Sequence, residues 1–437
     1  MKSELTFLSF CAVTLALSAG PRVDQDALTV VQSKGDRLVT VDYVLRGDPG
    51  IVTVDFQTNV TKTAAGPWVS IGVENFKSVA GDVNRLVKEV DETHRITWQP
   101  TNDWANVRVR NGNFRAVVTA WATNAPPDYM VIDLLTTNFS YYVSKEALPL
   151  EPTNETYKTT SLVMRRVHAT NVEWVMGSSA SQPYRELNGS YPKTETPRFV
   201  TLSEDYYLGI FELSQEQCRL LRGVSYYNGE EKTAPNIRVL PVQYMDYSHL
   251  RGTESASFKS WPEDKHRVAD GSWLDTFRKM TGVQFDLPTE AQWEYACRAG
   301  TRSGLNSGKE LTGLYDCPNA QEVAWYIYHK PTYPEDWAGY DVRTAEVGLL
   351  LPNVWGFYDM HGNVAEWVLD RGSQPDEAVG GRFRDPVGAT EGTSHYIRGG
   401  QGQYVNASAI LSSVRDSSGG HSRAIGLRLC APAVGVK

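Results

Sequence analysis

The sequence predicts a two-domain protein, in which an all-β sandwich precedes a loop-rich α+β domain. The chain has 437 residues, enough for about three domains of ordinary size. Residues 24–135 alternate apolar and polar side chains in short runs, which is the pattern of half-buried strands. Residues 161–437 contain two clear helical patterns among long stretches rich in turn-forming residues. These observations together define the predicted fold class.

Charge and histidine spacing exclude two classes of function. The chain carries 43 lysines and arginines against 51 acidic residues, a net charge of -8. This sign is wrong for binding a phosphate backbone through counterion release, so we expect no nucleic-acid partner. The eight histidines are scattered without the spacing of a zinc site.

The N-terminus has the pattern of an export signal at residues 1–19. Lys2 is followed by an apolar run from Leu5 to Ala19 that ends in small residues. The alternative is a buried or membrane-anchoring helix, but the run is too short to span a bilayer comfortably, so we expect no stable membrane span. We therefore expect a secreted, periplasmic or cell-surface protein, in which disulfides are possible.

The predicted β-sandwich covers residues 24–135 and contains about seven strands. The runs 38–44 and 51–56, separated by turn residues 47–50, predict a β-hairpin. Further strands are expected at 68–73, 94–98, 106–109, 114–121 and 129–135. No catalytic motif is present in this region, so a spacer or adhesion role is expected.

A polar, proline-containing stretch at 136–160 predicts a linker, and 161–437 a second domain. Apolar residues spaced along one face predict a helix at 274–281. A second helix is predicted at 289–299. Its first residue, Thr289, and the glutamine three positions later, Gln292, form the pattern of a capping box.

Three strings in the second domain resemble the formylglycine-generating enzyme, or sulfatase-modifying factor, family. The first begins Leu-Pro-Thr-Glu-Ala-Gln-Trp-Glu-Tyr-Ala at 287–301, and the second contains Trp-Gly-Phe-Tyr-Asp-Met-His-Gly-Asn-Val-Ala-Glu-Trp at 353–367. The third is Tyr-Ile-Arg-Gly-Gly at 396–400, followed by Ile-Gly-Leu-Arg-Leu at 425–429. The resemblance covers residues 162–432 and implies a variant C-type-lectin fold.

The resemblance also identifies a departure from the family's chemistry. Members that oxidise a substrate cysteine to formylglycine use two cysteines after the Arg-Gly-Gly turn, which bind copper(I) through soft thiolates. The aligned positions here are Tyr404 and Ala409, and the whole segment 401–423 contains no cysteine. We therefore expect no catalytic residues at these positions and no copper.

The resemblance implies a structural calcium site in the second string. Asp359 and Glu366 would supply carboxylates, and Gly362 and Val364 would supply carbonyl oxygens, a ligand set that suits calcium. The alternative is a turn entering a strand, in which Asp359 caps the turn and Glu366 pairs with an arginine such as Arg398.

The resemblance further implies a disulfide between Cys297 and Cys430.

The tryptophans in these strings, Trp293, Trp355 and Trp367, are expected in the core. Arg398, Arg415 and Arg428 are more consistent with internal ion pairs than with ligand contacts.

The segment 401–423 has the serine-, glycine- and amide-rich composition of a recognition loop. A plain solvated loop is the alternative. The candidate ligand-binding residues are Gln401, Gln403, Tyr404, Asn406, Ser408 and Arg415. The sequence thus predicts an exported, non-catalytic module that binds a protein or carbohydrate ligand. The alternative is an oxidoreductase of the formylglycine-generating or nonheme-metal type, acting on protein cysteine or another thiol.

Overall fold

The chain divides into two folding units, which are described separately. The smaller unit contains Met1–Ile71 and Ser78–Ala122, and the larger contains Gly72–Lys77 and Thr123–Lys437. The computed structural model describes residues 20–59, 67–104, 113–185, 195–223, 236–254, 261–264, 266–326, 328, 344–372, 380–400, 406–420 and 424–433. The predicted signal peptide and the predicted strand at 106–109 lie outside these ranges.

The smaller unit consists mainly of two antiparallel sheets. Its strands are β1 Arg22–Val23, β2 Thr29–Gln32, β3 Val39–Arg46, β4 Gly50–Asn59, β5 Trp68–Ser70, β6 Ala80–Gly81, β7 Arg85–Val87, β8 Thr93–Trp98 and β9 Phe114–Trp121. One sheet has the order β1-β3-β8-β6, with β2 also paired to β3. The other has the order β5-β4-β7, with β9 paired to β4. A short helix, α1, spans Pro100–Asp103.

The predicted hairpin between 38–44 and 51–56 is wrong, because β3 and β4 belong to different sheets. Val44 on β3 pairs with Thr93 on β8, whereas Ile51 on β4 pairs with Trp121 on β9. Side chains alternate between buried and half-buried along β3, as the sequence pattern indicates. Alternation in the sequence determines which face of a strand is buried but not which strand lies beside it. In this unit the turn at 47–49 carries the chain from one sheet to the other.

An aromatic cluster joins the two sheets of the smaller unit. Phe56 on β4 stacks on Trp98 on β8 with ring centroids 4.6 Å apart. Both side chains are almost fully buried. The indole Nε1 of Trp98 donates a hydrogen bond to Asp103 Oδ2 at 3.1 Å, so its one polar atom is satisfied.

The larger unit combines four small sheets with short helices and long loops. Its strands are β10 Tyr129–Asp133, β11 Phe139–Tyr142, β12 Ser161–Val167, β13 Glu173–Met176, β14 Arg198–Thr201, β15 Tyr206–Gly209, β16 Ala324–Trp325, β17 His361–Gly362, β18 Ala365–Arg371, β19 Arg382–Arg384, β20 His395–Arg398, β21 Arg415–Ser418, β22 Ile425–Gly426 and β23 Cys430–Pro432. Its helices are α2 Glu155–Lys158, α3 Gln215–Arg222, α4 Tyr247–Arg251, α5 Trp273–Thr281, α6 Glu290–Arg298 and α7 Pro318–Gln321. The sheets have the orders β11-β10-β12-β15-β23, β13-β14-β19, β16-β17 and β21-β20-β18-β22.

The boundary between the units differs from the one that the sequence predicts. β10, predicted for the first domain, pairs with β12 in the larger unit, with Met130 opposite Met164. The predicted linker 136–160 contains β11 and α2 and buries Tyr141, Leu148 and Tyr157. These apolar side chains, spaced between polar residues, anchor the segment to the larger unit.

The two predicted helices are confirmed as α5 and α6. Thr289 Oγ1 accepts a hydrogen bond from Gln292 N at 3.1 Å, and Gln292 Oε1 accepts one from Thr289 N at 2.8 Å. This is the predicted capping box. The same motif begins α3, where Ser214 and Gln217 exchange the equivalent hydrogen bonds. That helix is an addition to the two predicted ones.

Buried ion pairs hold the loops of the larger unit against its helices and strands. The Arg428 guanidinium donates to both oxygens of Glu366, and also to Gly209 O at 3.0 Å and Tyr358 O at 2.8 Å. Glu366 additionally accepts from Trp293 Nε1 at 2.7 Å. Arg428 and Glu366 are both essentially inaccessible to solvent. A buried guanidinium paired and hydrogen-bonded in this way fixes the positions of three separate chain segments.

The other two predicted arginines are also in internal ion pairs. Arg398 pairs with Glu294 and donates to Ser413 O and Val414 O, each at 2.9 Å. Arg415 donates to Glu290 at 2.9 Å. Of the three tryptophans expected in the core, Trp293 and Trp367 are fully buried, whereas Trp355 is partly buried against the same cluster.

Replacement of Trp98 by alanine should destabilise the smaller unit by about 3 to 5 kcal/mol, the usual cost of truncating a core aromatic residue. Trp68→Ala is the matched control, because Trp68 is only half-buried on β5. Urea unfolding monitored by site-resolved hydrogen exchange measures the stability of each unit separately. Equal losses for both variants would contradict the assignment of Trp98 to the core of this unit.

Replacement of Arg428 by methionine should destabilise the larger unit by about 3 to 5 kcal/mol, since it leaves the Glu366 carboxylate buried without its cation. The double variant Arg428→Met/Glu366→Gln should regain part of that loss, because the buried negative charge is removed as well. Equilibrium unfolding of the parent, both single variants and the double variant gives the coupling free energy. A coupling near zero would show that the contacts of Arg428 to Gly209 and Tyr358 carry the stability instead.

Candidate functional site

The predicted ligand-binding segment is partly described by the structure. Gln401, Gln403 and Tyr404 lie outside the described residues. Asn406 and Ser408 are at the start of a short 3-10 helix, where Asn406 Oδ1 accepts from Ser408 N at 3.0 Å and from Ser408 Oγ at 2.6 Å. Ser408 is buried. Both side chains therefore have a structural role as a helix cap.

Arg415 also has a structural role rather than the predicted ligand contact. It is buried, pairs with Glu290, and its guanidinium lies over the Tyr396 ring, 4.6 Å from the centroid. The interpretation as an internal ion pair is confirmed. Its burial and its pairing with Glu290 leave the predicted ligand contact of Arg415 without structural support.

A buried histidine anchors the backbone next to Ala409, one of the two positions aligned with the family's cysteines. His361 Nδ1 lies 2.5 Å from Ile410 O, and His361 Nε2 lies 3.0 Å from the Asn306 amide nitrogen. The carbonyl can only accept and the amide can only donate, so the imidazole is neutral with its proton on Nδ1. Burial lowers the pKa of His361 to about 4. The ring therefore stays uncharged at neutral pH.

Sequence reasoning did not identify His361 as part of this region. The one indication in the sequence was the position of His361 within the string at 353–367. Residues 359–366 of that string were interpreted as a candidate calcium loop. A contact between His361 and a carbonyl 49 positions later in the chain is visible only in the fold. The backbone at Gly400 also lies close to this segment, because a Cβ at position 400 would lie 2.6 Å from Ala409 O.

The four cysteines after the predicted signal are free, buried thiols. The expected disulfide between Cys297 and Cys430 is therefore not formed in this structure. Both residues belong to one core cluster, but Cys297 Sγ lies 3.9 Å from Met360 O and from His361 Nε2. Cys430 sits on β23, opposite Leu208. Sharing a core does not bring two sulfur atoms into bonding geometry.

Burial makes three of these thiols poor nucleophiles. It raises the pKa of Cys218 to about 12 and that of Cys297 to about 12, and it raises the pKa of Cys430 further. Cys317 is the exception. Burial acts to raise its pKa, but hydrogen bonds from the Thr312 amide and hydroxyl outweigh this effect and lower it. Its side chain is nevertheless fully enclosed.

The residues of the predicted calcium site have other partners. Asp359 Oδ2 accepts from Gly348 N at 2.6 Å, and the Val364 amide donates to Glu212 Oε1 at 3.0 Å. Both oxygens of Glu366 are engaged by Arg428. Gly362 has a φ of 77°, and a Cβ there would lie 2.0 Å from Trp325 O, so this glycine is required by a close backbone approach. Arg428 thus engages Glu366, and the Gly348 amide engages one oxygen of Asp359, whereas the contacts of Gly362 and Val364 do not involve the carbonyl oxygens expected to bind calcium.

The carboxylates of this loop lie close together in a buried environment. Glu212 lies within the same buried cluster, and burial together with the charges of Asp359 and Glu366 raises its pKa well above the usual range. Burial raises the pKa of Asp359 to about 6. Within the parts of the chain that the structure covers, no group of three or more His, Cys, Asp or Glu side chains could hold a metal ion. The alternative of an arginine partner for Glu366 holds, with Arg428 in place of Arg398, and the calcium that the resemblance implies stays a prediction.

The larger unit also contains an open cleft that the sequence did not indicate. Its volume is about 730 Å³. The lining combines charged and polar side chains with aromatic and aliphatic ones: Glu74, Lys77, Asp128, Tyr129, Ser144, Lys145, Glu146, Glu151, Pro152, Thr153, Arg165, Ile210, Pro352, Asn353, Val354, Gly356 and Tyr358. These residues come from separate parts of the sequence, so no local motif marks them. Glu74 and Lys77 belong to the short segment 72–77, which joins the larger unit.

Tyr129 and Tyr358 form the aromatic part of the cleft. Burial raises the pKa of Tyr129 to about 12, and burial also raises that of Tyr358, so both remain neutral phenols that can donate and accept hydrogen bonds. Gly356 faces them in the left-handed region with a φ of 78°. A Cβ at this position would lie 3.5 Å from Tyr129 Oη. Tyr129 and Tyr358 are only 5% and 8% exposed, so they support the wall of the cleft and offer a ligand little aromatic surface.

No helix in the described parts of the chain has the length and apolar character needed to cross a membrane.

Comparison with known proteins places the second half of the chain in one family. Residues 167–433 match the family described as "Sulfatase-modifying factor enzyme 1-like domain". The chaperone protein LppX of Paenibacillus barcinonensis is 31% identical over 197 residues, which cover 40% of this chain and 66% of that protein. The formylglycine-generating enzyme of Mus musculus is 33% identical over 164 residues, or 37% of this chain and 41% of the enzyme. The chain therefore spans less than two thirds of the length of either relative.

A similar solved structure is Treponema denticola variable protein 1, with a TM-score of 0.45 and 22% identity over 62% of this chain and 95% of that one. The family match covers more than half of the sequence and contains the three strings identified above. The chain belongs to the sulfatase-modifying factor, or formylglycine-generating enzyme, family.

Proposed function

We propose that this protein is an exported, non-catalytic binding module of the sulfatase-modifying factor family. The observation that carries the proposal is the absence of cysteine from the sequence 401–423, where catalytic members of the family have their copper-binding pair. Cys218, Cys297 and Cys430 are buried thiols with raised pKa values, and Cys317 is enclosed. An enclosed thiol cannot reach a peptide substrate, and a protonated one is a weak nucleophile.

Binding is supported by the cleft of the larger unit. A cavity of about 730 Å³ is within the usual range of small-molecule sites. Its polar lining suits a protein side chain or a carbohydrate better than a fully apolar ligand. One relative is named as a chaperone protein, a role that rests on binding. The variant C-type-lectin fold implied by the resemblance would serve the same purpose.

The smaller unit fits the role of a spacer or adhesion module. Its two antiparallel sheets and their shared aromatic cluster suit the sandwich that the sequence predicts. Export through the predicted signal at 1–19 would place both units at the cell surface, in the periplasm or outside the cell.

The second candidate function is oxidation of a thiol, which the name of the mouse relative favours.

With copper(I), oxygen and a Cys-x-Pro-x-Arg peptide, the purified protein should yield no formylglycine, because it lacks the thiolate pair. Mass spectrometry of the peptide measures the product, with an active formylglycine-generating enzyme as the positive control. The variant Tyr404→Cys/Ala409→Cys should bind more copper(I) than the parent, since soft thiolates select this ion. Product formation by the parent above a metal-free control would establish the oxidoreductase instead.

We further propose that Arg428 supplies the positive charge of the 359–366 loop in place of calcium. A chelator should then leave the melting temperature of the larger unit unchanged. Calcium bound at a hundredfold excess over its Kd would add about 2.7 kcal/mol, enough to be detected by calorimetry. A chelator-induced decrease in melting temperature that the Asp359→Asn variant abolishes would assign calcium to this loop after all.

A further inference from the structure

Two adjacent arginines on β12 differ in their partners. Arg166 donates to Asp205 through Nε at 3.0 Å and through NH2 at 2.8 Å, and it also donates to Pro126 O. Arg165, on the opposite face of the strand, lines the cleft and is half-buried. Its guanidinium lies over the Tyr129 ring, 5.8 Å from the centroid. No hydrogen bond or ion pair joins the Arg165 side chain to any other part of the chain that the structure covers.

Lys77 is a second cation of the cleft that lacks an ion pair. It is also half-buried, and it forms no ion pair with the described residues. A half-buried guanidinium carries five N–H donors in a planar fork that matches a carboxylate, and the lysine ammonium adds three more donors. The cleft therefore presents two positive groups that form no direct ion pair with the described residues. They share it with four carboxylates, those of Glu74, Asp128, Glu146 and Glu151.

The remaining lining suits hydroxyl groups. The carboxylates of Glu146 and Glu151 accept hydrogen bonds, while Ser144, Thr153 and Asn353 supply short polar groups. Glu146 stays ionised: burial acts to raise its pKa, but hydrogen bonds from its own amide and from Ser144 and the charges of Lys145 and Arg165 lower it. Sugar hydroxyls donate to carboxylates of this kind.

We propose that this cleft binds an acidic saccharide, with the sugar carboxylate held by Arg165 and Lys77. The hydroxyls would donate to Glu146 and Glu151. This inference rests on the proposed binding function and names its ligand class. A peptide ligand is less well matched, because the aliphatic lining is limited to two prolines, Ile210 and Val354.

Binding of the parent protein to an array of carboxylated, sulfated and neutral glycans tests the proposal. Carboxylated glycans should be retained, and the corresponding methyl esters and neutral sugars should bind at least tenfold more weakly, because a charge-assisted bidentate contact is lost. Digalacturonate, used as a soluble probe in calorimetry, should bind more weakly as salt is raised.

Arg165→Gln should weaken digalacturonate binding at least tenfold, and Lys77→Gln should weaken it about threefold or more. Lys77→Gln carries little risk to folding, because the lysine is half-exposed in a short segment. Arg115→Gln is the control: it removes another arginine stacked on an aromatic ring, here Trp68 of the smaller unit, and should leave binding unchanged.

Retention of only neutral or only sulfated glycans, retention of none, or equal binding by the parent and Arg165→Gln would overturn the acidic-saccharide assignment. Those outcomes would leave the non-catalytic binding function standing, because that function fails only if the parent produces formylglycine. Selective retention of carboxylated glycans with loss in both cleft variants would establish the site.

Discussion

The pairing of Arg428 with Glu366 is the constraint on which the larger unit most depends. The guanidinium lies where three chain segments meet, and it satisfies two backbone carbonyls as well as both carboxylate oxygens. A domain with so little regular structure cannot rely on helix and strand hydrogen bonds alone to position its loops. A buried cation with a planar set of donors fixes the directions of several segments at once. The same device recurs at Arg398, which holds the carbonyls of Ser413 and Val414 against Glu294.

This use of arginine connects the stability of the domain to its chemistry. In the family, the segment after the Arg-Gly-Gly turn carries the reactive cysteines. Here the described part of that segment is held by His361 and by a side-chain cap from Asn406, and its position 409 is alanine. The scaffold can thus be retained without the metal-binding thiols. The binding that we propose takes place elsewhere, at a cleft built from residues distant in sequence.

Local patterns in the sequence predicted local structure well. The capping box at Thr289, the helices α5 and α6, the buried tryptophans Trp293 and Trp367, and the internal pairing of three arginines all follow from side-chain type and spacing. The errors concern long-range partners. The pattern of β3 and β4 specifies buried faces but not which strands are neighbours. The acidic residues of the 359–366 loop do not reveal that an arginine 62 residues after Glu366 pairs with it.

The cleft could not be predicted for the same reason, since Arg165 and Arg166 look alike in the sequence. Only the direction of each side chain from the strand shows that one is paired and the other lines a cavity. Residues 72–77 lie in the sequence between the two segments of the smaller unit, but they belong to the larger unit. They bring Lys77 and Glu74 to the cleft. The two units are therefore not separable by a single cut in the gene: a fragment beginning at residue 123 would lose part of the cleft wall. Recombination could move this cleft intact only by transferring the preceding unit with it.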